Sequence, residues 1–314
     1  MKLPISAILP IYNCKGRLER HLRSVVTWAS NVSEIIVVDS GSTDGTLELA
    51  TEVLFSFGAK ILHNPPGLYQ SWNAGIAAAN SPWCYISTVE DPITPDGLSH
   101  LLDVASRHDA DVVISPPEMW NNDGSASVKD KMPSNYLADS FLKAGLSDKL
   151  LSRSETIANL CGFLPQGLLG SSASNLYRAS FLQKHPFPTD FAHCGDTAWG
   201  VYVAPYAKVA FTNFSCARFY NQTRFQAEDP IQQLARHQKL AETARKTLTA
   251  QATHDMECAT MLGWFNAHDA TIQILWNWLA QQHEYQLHLK SKYEGGVIQY
   301  LFRAFRDEWK KLRN

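Results

Sequence analysis

The segment Glu34-Ile-Ile-Val-Val-Asp-Ser-Gly-Ser-Thr-Asp-Gly-Thr46 decides the fold. A short β-branched run stops at an acid, Asp39, and gives way to a loop of glycine, serine and threonine; residues 46–57 then read as a helix. A buried strand of an open α/β sheet ends in this way, presenting a polar side chain at the carboxyl edge where such folds bind ligands. The loop carries no GxGxxG, and no GxxxxGK[ST] occurs in the chain, which excludes a dinucleotide fingerprint and a phosphate loop of those types. Two readings of the acid stand side by side. Asp39 contacts a base or ribose, or the loop merely caps the next helix, with Ser42 or Thr43 as N-cap and Asp44 in the first turn.

Working outward, residues 5–9, 34–38, 60–62, 84–88 and 111–115 read as strands, and residues 17–28, 46–57, 69–79 and 95–107 as the helices between them. Such alternation predicts an α/β fold with a mostly parallel sheet covered by helices on both faces, its strands ending at one edge. Asp39, Thr88, Glu90 and Asp91 are then expected in one cleft. Pro10 is expected to stop the first strand, leaving Tyr12 to offer a flat ring beyond it. After a weakly patterned stretch, residues 135–143 and 196–205 read as helices, 171–177 as a strand and 208–213 as an edge strand. From about residue 226 the pattern is nearly all helical, with Gly295-Gly296 before a last helix over 297–312. The expected division is a domain over 1–225 and an α-helical C-terminal extension over 226–314.

Composition narrows the class. Apolar residues make up 45% of the 314 and charged residues 18%, as in a globular chain, and a net charge of -2 gives no reason to expect nucleic acid as a partner. The six cysteines include no CxxC, and Cys84 and Cys216 read as reduced core residues. No apolar h-region opens the sequence and no window reaches the ~18 apolar residues of a membrane span, so a cytoplasmic location is expected.

The pairing of Ser6-Ala-Ile-Leu-Pro-Ile-Tyr-Asn13 with the Val-Val-Asp39-Ser-Gly-Ser-Thr-Asp-Gly-Thr46 strand end resembles the opening of the family-2 inverting glycosyltransferases of GT-A type. Four further pieces follow in that family's order: Gly67-Leu-Tyr-Gln-Ser-Trp-Asn-Ala-Gly-Ile-Ala-Ala-Ala79, the 85–98 segment, Asn175-Leu-Tyr-Arg178 and Gly195-Asp-Thr-Ala-Trp199. The resemblance covers roughly residues 4–215. It implies a nucleotide-sugar donor, most commonly UDP-linked, and a glycan or other hydroxyl acceptor, with a role in cell-surface polysaccharide or glycoconjugate synthesis.

By that resemblance Pro10, Tyr12 and Asp39 line the nucleotide pocket and Asn73 lies near it, with Thr88 and Arg178 also assigned to the donor. The family's Asp-x-Asp signature aligns with Thr88-Val-Glu-Asp91, a degenerate form in which Glu90 and Asp91 are left to hold Mn2+ or Mg2+. The alternative is that Asp91 only caps the turn before Pro92; cations for the diphosphate would then be sought among Arg178, Arg218 and Arg224. The family's Glu-Asp pair is reduced to Gly195-Asp196. Asp196 is the implied catalytic base, expected to be ionised at a helix N-terminus, against the plainer reading of an N-cap. His193 and Trp199 are candidates for acceptor contact.

In the last helix an apolar stripe from Val297 to Leu312 faces a basic remainder, which suits either peripheral contact with the inner face of a membrane, through residues 297–313 and toward a lipid-linked glycan, or docking on this chain or on a second copy. Erosion of the acidic signature also leaves a non-catalytic nucleotide-sugar- or glycan-binding scaffold as the alternative.

Overall fold

The computed structural model describes residues 2–266 other than 122, 123, 128–130, 163, 165, 166 and 221–229, with the side chains of 230–234 also left aside. Arg224 and the 297–312 stripe lie outside the described residues.

Ten strands and nine helices are described: β1 Leu3–Ile11, α1 Lys15–Trp28, β2 Val32–Asp39, α2 Thr46–Leu54, β3 Lys60–His63, α3 Leu68–Ala78, β4 Trp83–Ile86, α4 Pro95–His108, β5 Val112–Ile114, β6 Glu118–Trp120, α5 Pro133–Lys143, β7 Asp148–Leu150, α6 Arg153–Gly162, β8 Asn175–Arg178, α7 Ala179–Lys184, α8 Gly195–Val203, β9 Val209–Thr212, β10 Arg218–Tyr220 and α9 Pro230–Ala252. Eight strands form one sheet in the order β3-β2-β1-β4-β8-β5-β9-β7, and β10 with β6 makes a small parallel pair. All neighbours in the large sheet are parallel except those of β8 and β7, which run the other way. The expectation of a mostly parallel sheet holds; the strand expected over 171–177 shrinks to β8, preceded by a helical turn at Ser172–Ser174.

Strand order reverses at β1, with β2 and β3 on one side and β4 on the other, so the crevice at the carboxyl ends of β1 and β4 is the topological switch point. Pro10 does not stop β1. It pairs in register with Val38, and Ile11 with Asp39. The reason is geometric. The Ile8 carbonyl accepts from Ser87 N–H on the β4 side, and Pro10, two residues on, turns its nitrogen the same way, past the end of β4. No ladder bond is lost there.

Alternation along the strands feeds two cores. Ile8, Ile36, Val38 and Ile86 pack with Tyr69, Trp72 and Ile76 of α3, and with residues of α6, α8 and α9. Ala7, Leu9, Val37 and Tyr85 face the other way onto α1, α2 and α4. Leu240, Ala244 and Leu248 of α9 are fully buried, and the compact unit runs Met1–Phe265. All six cysteines are free, with Cys84 and Cys216 buried as expected.

At Gly75, α3 lies so close to the sheet that a Cβ would run into Ile8 Cγ2 and come within 3.2 Å of Val38 Cγ2. Gly75→Ala gains helix propensity but overpacks this contact, so it should lower unfolding free energy by about 1–3 kcal/mol, read as a reduced urea midpoint. An unchanged midpoint would show that α3 has room to move off the sheet.

Candidate active site

Two loops at the carboxyl edge, one after β1 and one after β2, are laced together by short polar side chains. Asn13 Oδ1 accepts from Thr43 N–H at 2.8 Å, while Asn13 N–H donates to Ser42 Oγ at 3.1 Å. Cys14 N–H donates to Thr46 Oγ1 at 2.8 Å, and Lys15 N–H to Asp44 Oδ2 at 3.2 Å. Asp44 also accepts from the amide of Thr46, so it lies just outside α2, whose N-cap is Gly45 at φ 86° rather than Ser42 or Thr43. Asp39 is buried, its carboxylate accepting from Gly41 N–H at 3.1 Å and Ser42 N–H at 3.2 Å. Its observed contacts are those of a loop organiser. Tyr12, by contrast, is 50% exposed at the mouth of the crevice.

The first turn of α3 connects this loop pair to Asp196. Ser71 Oγ lies 2.6 Å from Ser40 Oγ, next to Asp39. Two residues earlier, the Tyr69 hydroxyl donates to the His193 carbonyl at 2.9 Å and to Asp196 Oδ1 at 3.0 Å. Asp196 also accepts from the Thr197 amide at 2.7 Å. Burial raises its carboxyl to about 6, against the lowering effects of that amide and of Tyr69. The helix N-terminus was expected to keep it low; desolvation wins. Asp196 is therefore an ionised carboxylate above about pH 6, with a basicity suited to taking a hydroxyl proton near neutrality.

Gly195 is explained by the same tyrosine. A Cβ there would lie 2.5 Å from Tyr69 Cδ2 and Cε2 and 2.6 Å from the Pro188 carbonyl oxygen. The ring occupies the volume that a glutamate at this position would need.

The turn after β4 carries the expected acids in unequal settings. Glu90 adopts φ 81°, a left-handed conformation unfavourable for its side chain. Its carboxylate faces Arg17 Nη1 and Arg20 Nη2 of α1, each at 3.6 Å. Asp91 is buried, accepts from Ser171 Oγ at 3.0 Å, and is pushed up to about 8, chiefly by burial. These residues do not fit a divalent cation. Thr88 supplies no carboxylate, Glu90 already faces two guanidinium groups that would repel an incoming cation, and Asp91 is buried with its carboxylate engaged by Ser171. Among the described residues, no group of three or more His, Cys, Asp or Glu comes together. Glu90 and Asp91 thus stand in settings that do not suit the Mn2+ or Mg2+ expected of them.

The family model for glycosyl transferase family 2 matches residues 6–163, half of the chain. The chain belongs to glycosyl transferase family 2. The glycosyltransferase GlyG of Streptococcus pneumoniae is 31% identical over 113 residues, covering 35% of this chain and 38% of the relative. An uncharacterised glycosyltransferase of Mycoplasma pneumoniae is 24% identical over 181 residues, covering 50% of this chain and 59% of its own length. The match thus spans less than two thirds of the length of each of these curated relatives. Among solved structures, S. aureus TarS residues 1–349 in complex with UDP-GlcNAc superposes with a TM-score of 0.59 at 17% identity, covering 84% of this chain and 71% of that one. That likeness is one of fold.

Three residues assigned from the family pattern serve the scaffold instead. Arg178 pairs with Trp83, at the start of β4, and thus sits at the edge of the sheet opposite Asp39. It bonds Asp109, Asp111 and the Ala110 carbonyl, and its guanidinium lies 4.9 Å from the Trp83 ring centre. Asn73 spends its amide on the backbone of Phe187, donating at 2.8 Å and accepting at 3.0 Å. Trp199 is buried in the core, donating to the His185 carbonyl at 2.6 Å and packing edge-on against Tyr177. Of the acceptor candidates only His193 is exposed, beside the start of α8. Arg218 neighbours the Glu90 turn through its amide, which donates to Pro92 O, but its guanidinium lies over Trp120. No TM-length apolar helix occurs among the described residues.

Sequence reasoning missed Tyr69, Arg17, Arg20 and Ser171. The usable signals were a glycine where the family carries glutamate, which asks for a bulky neighbour, and Lys15 and Arg17 in the first turn of α1 with no acid to favour the dipole.

If Asp196 is the base, kcat/KM should rise with pH through about 6 and level off above it. Tyr69→Phe removes a bond that favours the charged carboxylate, so the acid limb should move to higher pH while the alkaline rate persists. A limb that stays in place would separate Tyr69 from the titration.

Proposed function

We propose that the chain transfers a sugar from a UDP-linked donor to a hydroxyl of a glycan or lipid-linked glycan, with inversion, in cell-surface polysaccharide or glycoconjugate synthesis. The observation that carries this reading is Asp196: a basic carboxylate at the start of α8, tied through Tyr69 to the helix turn that also anchors the loop after β2. The donor lies across the switch-point crevice. Tyr12 stacks on the base, with Pro10 at the pocket floor and Asp39 holding the loop that receives the ribose. Among the described residues the buried Thr88 hydroxyl has no hydrogen-bond partner, and it is satisfied by an oxygen of the bound donor. His193 faces the acceptor. Support for a uridine donor comes from the fold neighbour whose structure contains UDP-GlcNAc.

The chemistry is a single displacement. The acceptor oxygen forms its bond to C1 as the bond from C1 to the diphosphate oxygen breaks; the electron pair leaves with UDP and the hydroxyl proton passes to Asp196. As Asp196 takes that proton, Tyr69 turns its own hydroxyl proton toward the His193 carbonyl, already 2.9 Å away, so no buried donor is orphaned.

Asp196→Asn should reduce transfer by roughly 10²–10⁴-fold, the scale of a lost general base, while UDP affinity measured by calorimetry stays close to that of the unaltered chain. Turnover surviving the substitution would remove Asp196 from the base role. Loss of UDP binding in the same variant would show that it holds the donor loop rather than the proton.

A further inference from the structure

Arg17 and Arg20 stand one turn apart on α1, which leaves the crevice directly after β1, and their guanidinium groups meet the two carboxylate oxygens of Glu90, each at 3.6 Å. The arginine side chains are 43% and 64% exposed, whereas Glu90 is only 14% exposed, so the acid is the enclosed member and the cations face outward. Glu90 holds this position at the cost of a left-handed backbone at φ 81°. Strain of this kind persists when surrounding contacts fix it, and it gathers at ligand sites. The first turn of α1 carries Lys15 and Arg17 and no acid of its own, the nearest carboxylate there being Asp44 of the neighbouring loop, which accepts from the Lys15 amide. Within this cluster two guanidinium groups face one carboxylate, which places positive charge beside the switch point, where an anionic ligand is expected.

We infer that Arg17 and Arg20, aligned by Glu90, bind the diphosphate of the donor and stabilise it as it leaves, doing the work of a divalent cation. The inference rests on the donor reading proposed above. It gives Glu90 a positioning role: its carboxylate holds two flexible side chains in one geometry, so less ordering remains when the diphosphate arrives. Planar guanidinium groups suit the bidentate oxygens of a phosphate, and their charge strengthens interaction as negative charge grows on the departing oxygen.

The test is a calorimetric titration of the full chain with UDP in EDTA and then in Mn2+, repeated with uridine, and with Arg17→Ala/Arg20→Ala and Glu90→Gln. UDP should bind the unaltered chain with the same affinity in both buffers. The double variant should lose at least ten-fold in UDP affinity while its uridine affinity and thermal midpoint hold, and lysine at both positions should restore part of the loss. Glu90→Gln should weaken UDP binding equally in EDTA and in Mn2+. If Mn2+ tightens UDP binding to the unaltered chain ten-fold or more, and Glu90→Gln abolishes that gain, Glu90 is a metal ligand and the inference falls while the donor reading stands. An unchanged UDP affinity in the double variant would also overturn it. Failure of UDP, GDP, CDP and dTDP to bind in either buffer would overturn the donor reading, and the inference with it.

Discussion

The geometry of the candidate site depends on one buried side chain, Tyr69. Its ring fills the space over Gly195 and packs among Trp72 and Phe187, and its hydroxyl reaches across to the start of α8. A tyrosine here pays off in two ways. The ring contributes a large apolar area to the core beneath α3, and the polar tip meets two acceptors that would otherwise compete for solvent. The consequence is that α3 and α8, far apart in sequence, cannot shift independently. Ser71, two residues on in the same turn of the helix, carries the constraint on to Ser40 and the loop after β2.

This arrangement gives a physical reason for a single acid where the resemblance implies a pair. A glutamate at 195 would need the volume of the Tyr69 ring and would collide with the Pro188 carbonyl. What remains is a single carboxylate whose basicity is set by burial and trimmed by two hydrogen bonds. After β4, Thr88 supplies no carboxylate, and the one that Glu90 supplies faces Arg17 and Arg20 of α1. The two places differ physically. At Gly195 the space of a side chain is taken by a ring, and at the Glu90 turn a carboxylate is kept but paired with positive charge.

Much of the fold was legible because it rests on periodicity. The runs in β1 and β2 and the helices after them are set by alternation and spacing, and the loop of short polar residues between Asp39 and Thr46 announces a strand end. Pro10 misled because its effect depends on which side of β1 has a neighbour, a fact only β4 supplies. Site residues were harder, since a motif fixes a residue's place but not its partner. Asn73 and Trp199 sit where the family pattern puts them, yet each polar group is consumed by a backbone group far away in sequence, Phe187 or His185. Arg178 was misplaced because β8 runs against its neighbours and delivers its last residue to the opposite edge. Arg17 and Arg20 read as a solvated helix face, and nothing local shows that the 88–91 turn lies beside them.

The single displacement proposed above rests on one basic carboxylate, with no second acid placed as a nucleophile beside it among the described residues. The most direct test is to follow the early product of donor cleavage by proton NMR, offering α-linked UDP-sugars, UDP-N-acetylglucosamine among them, with and without a glycan acceptor. The account predicts that the first product formed, before mutarotation, is the β anomer or a β-linked glycoside, and that no sugar becomes covalently attached to the protein. An α product, or a trapped glycosyl-enzyme, would contradict it.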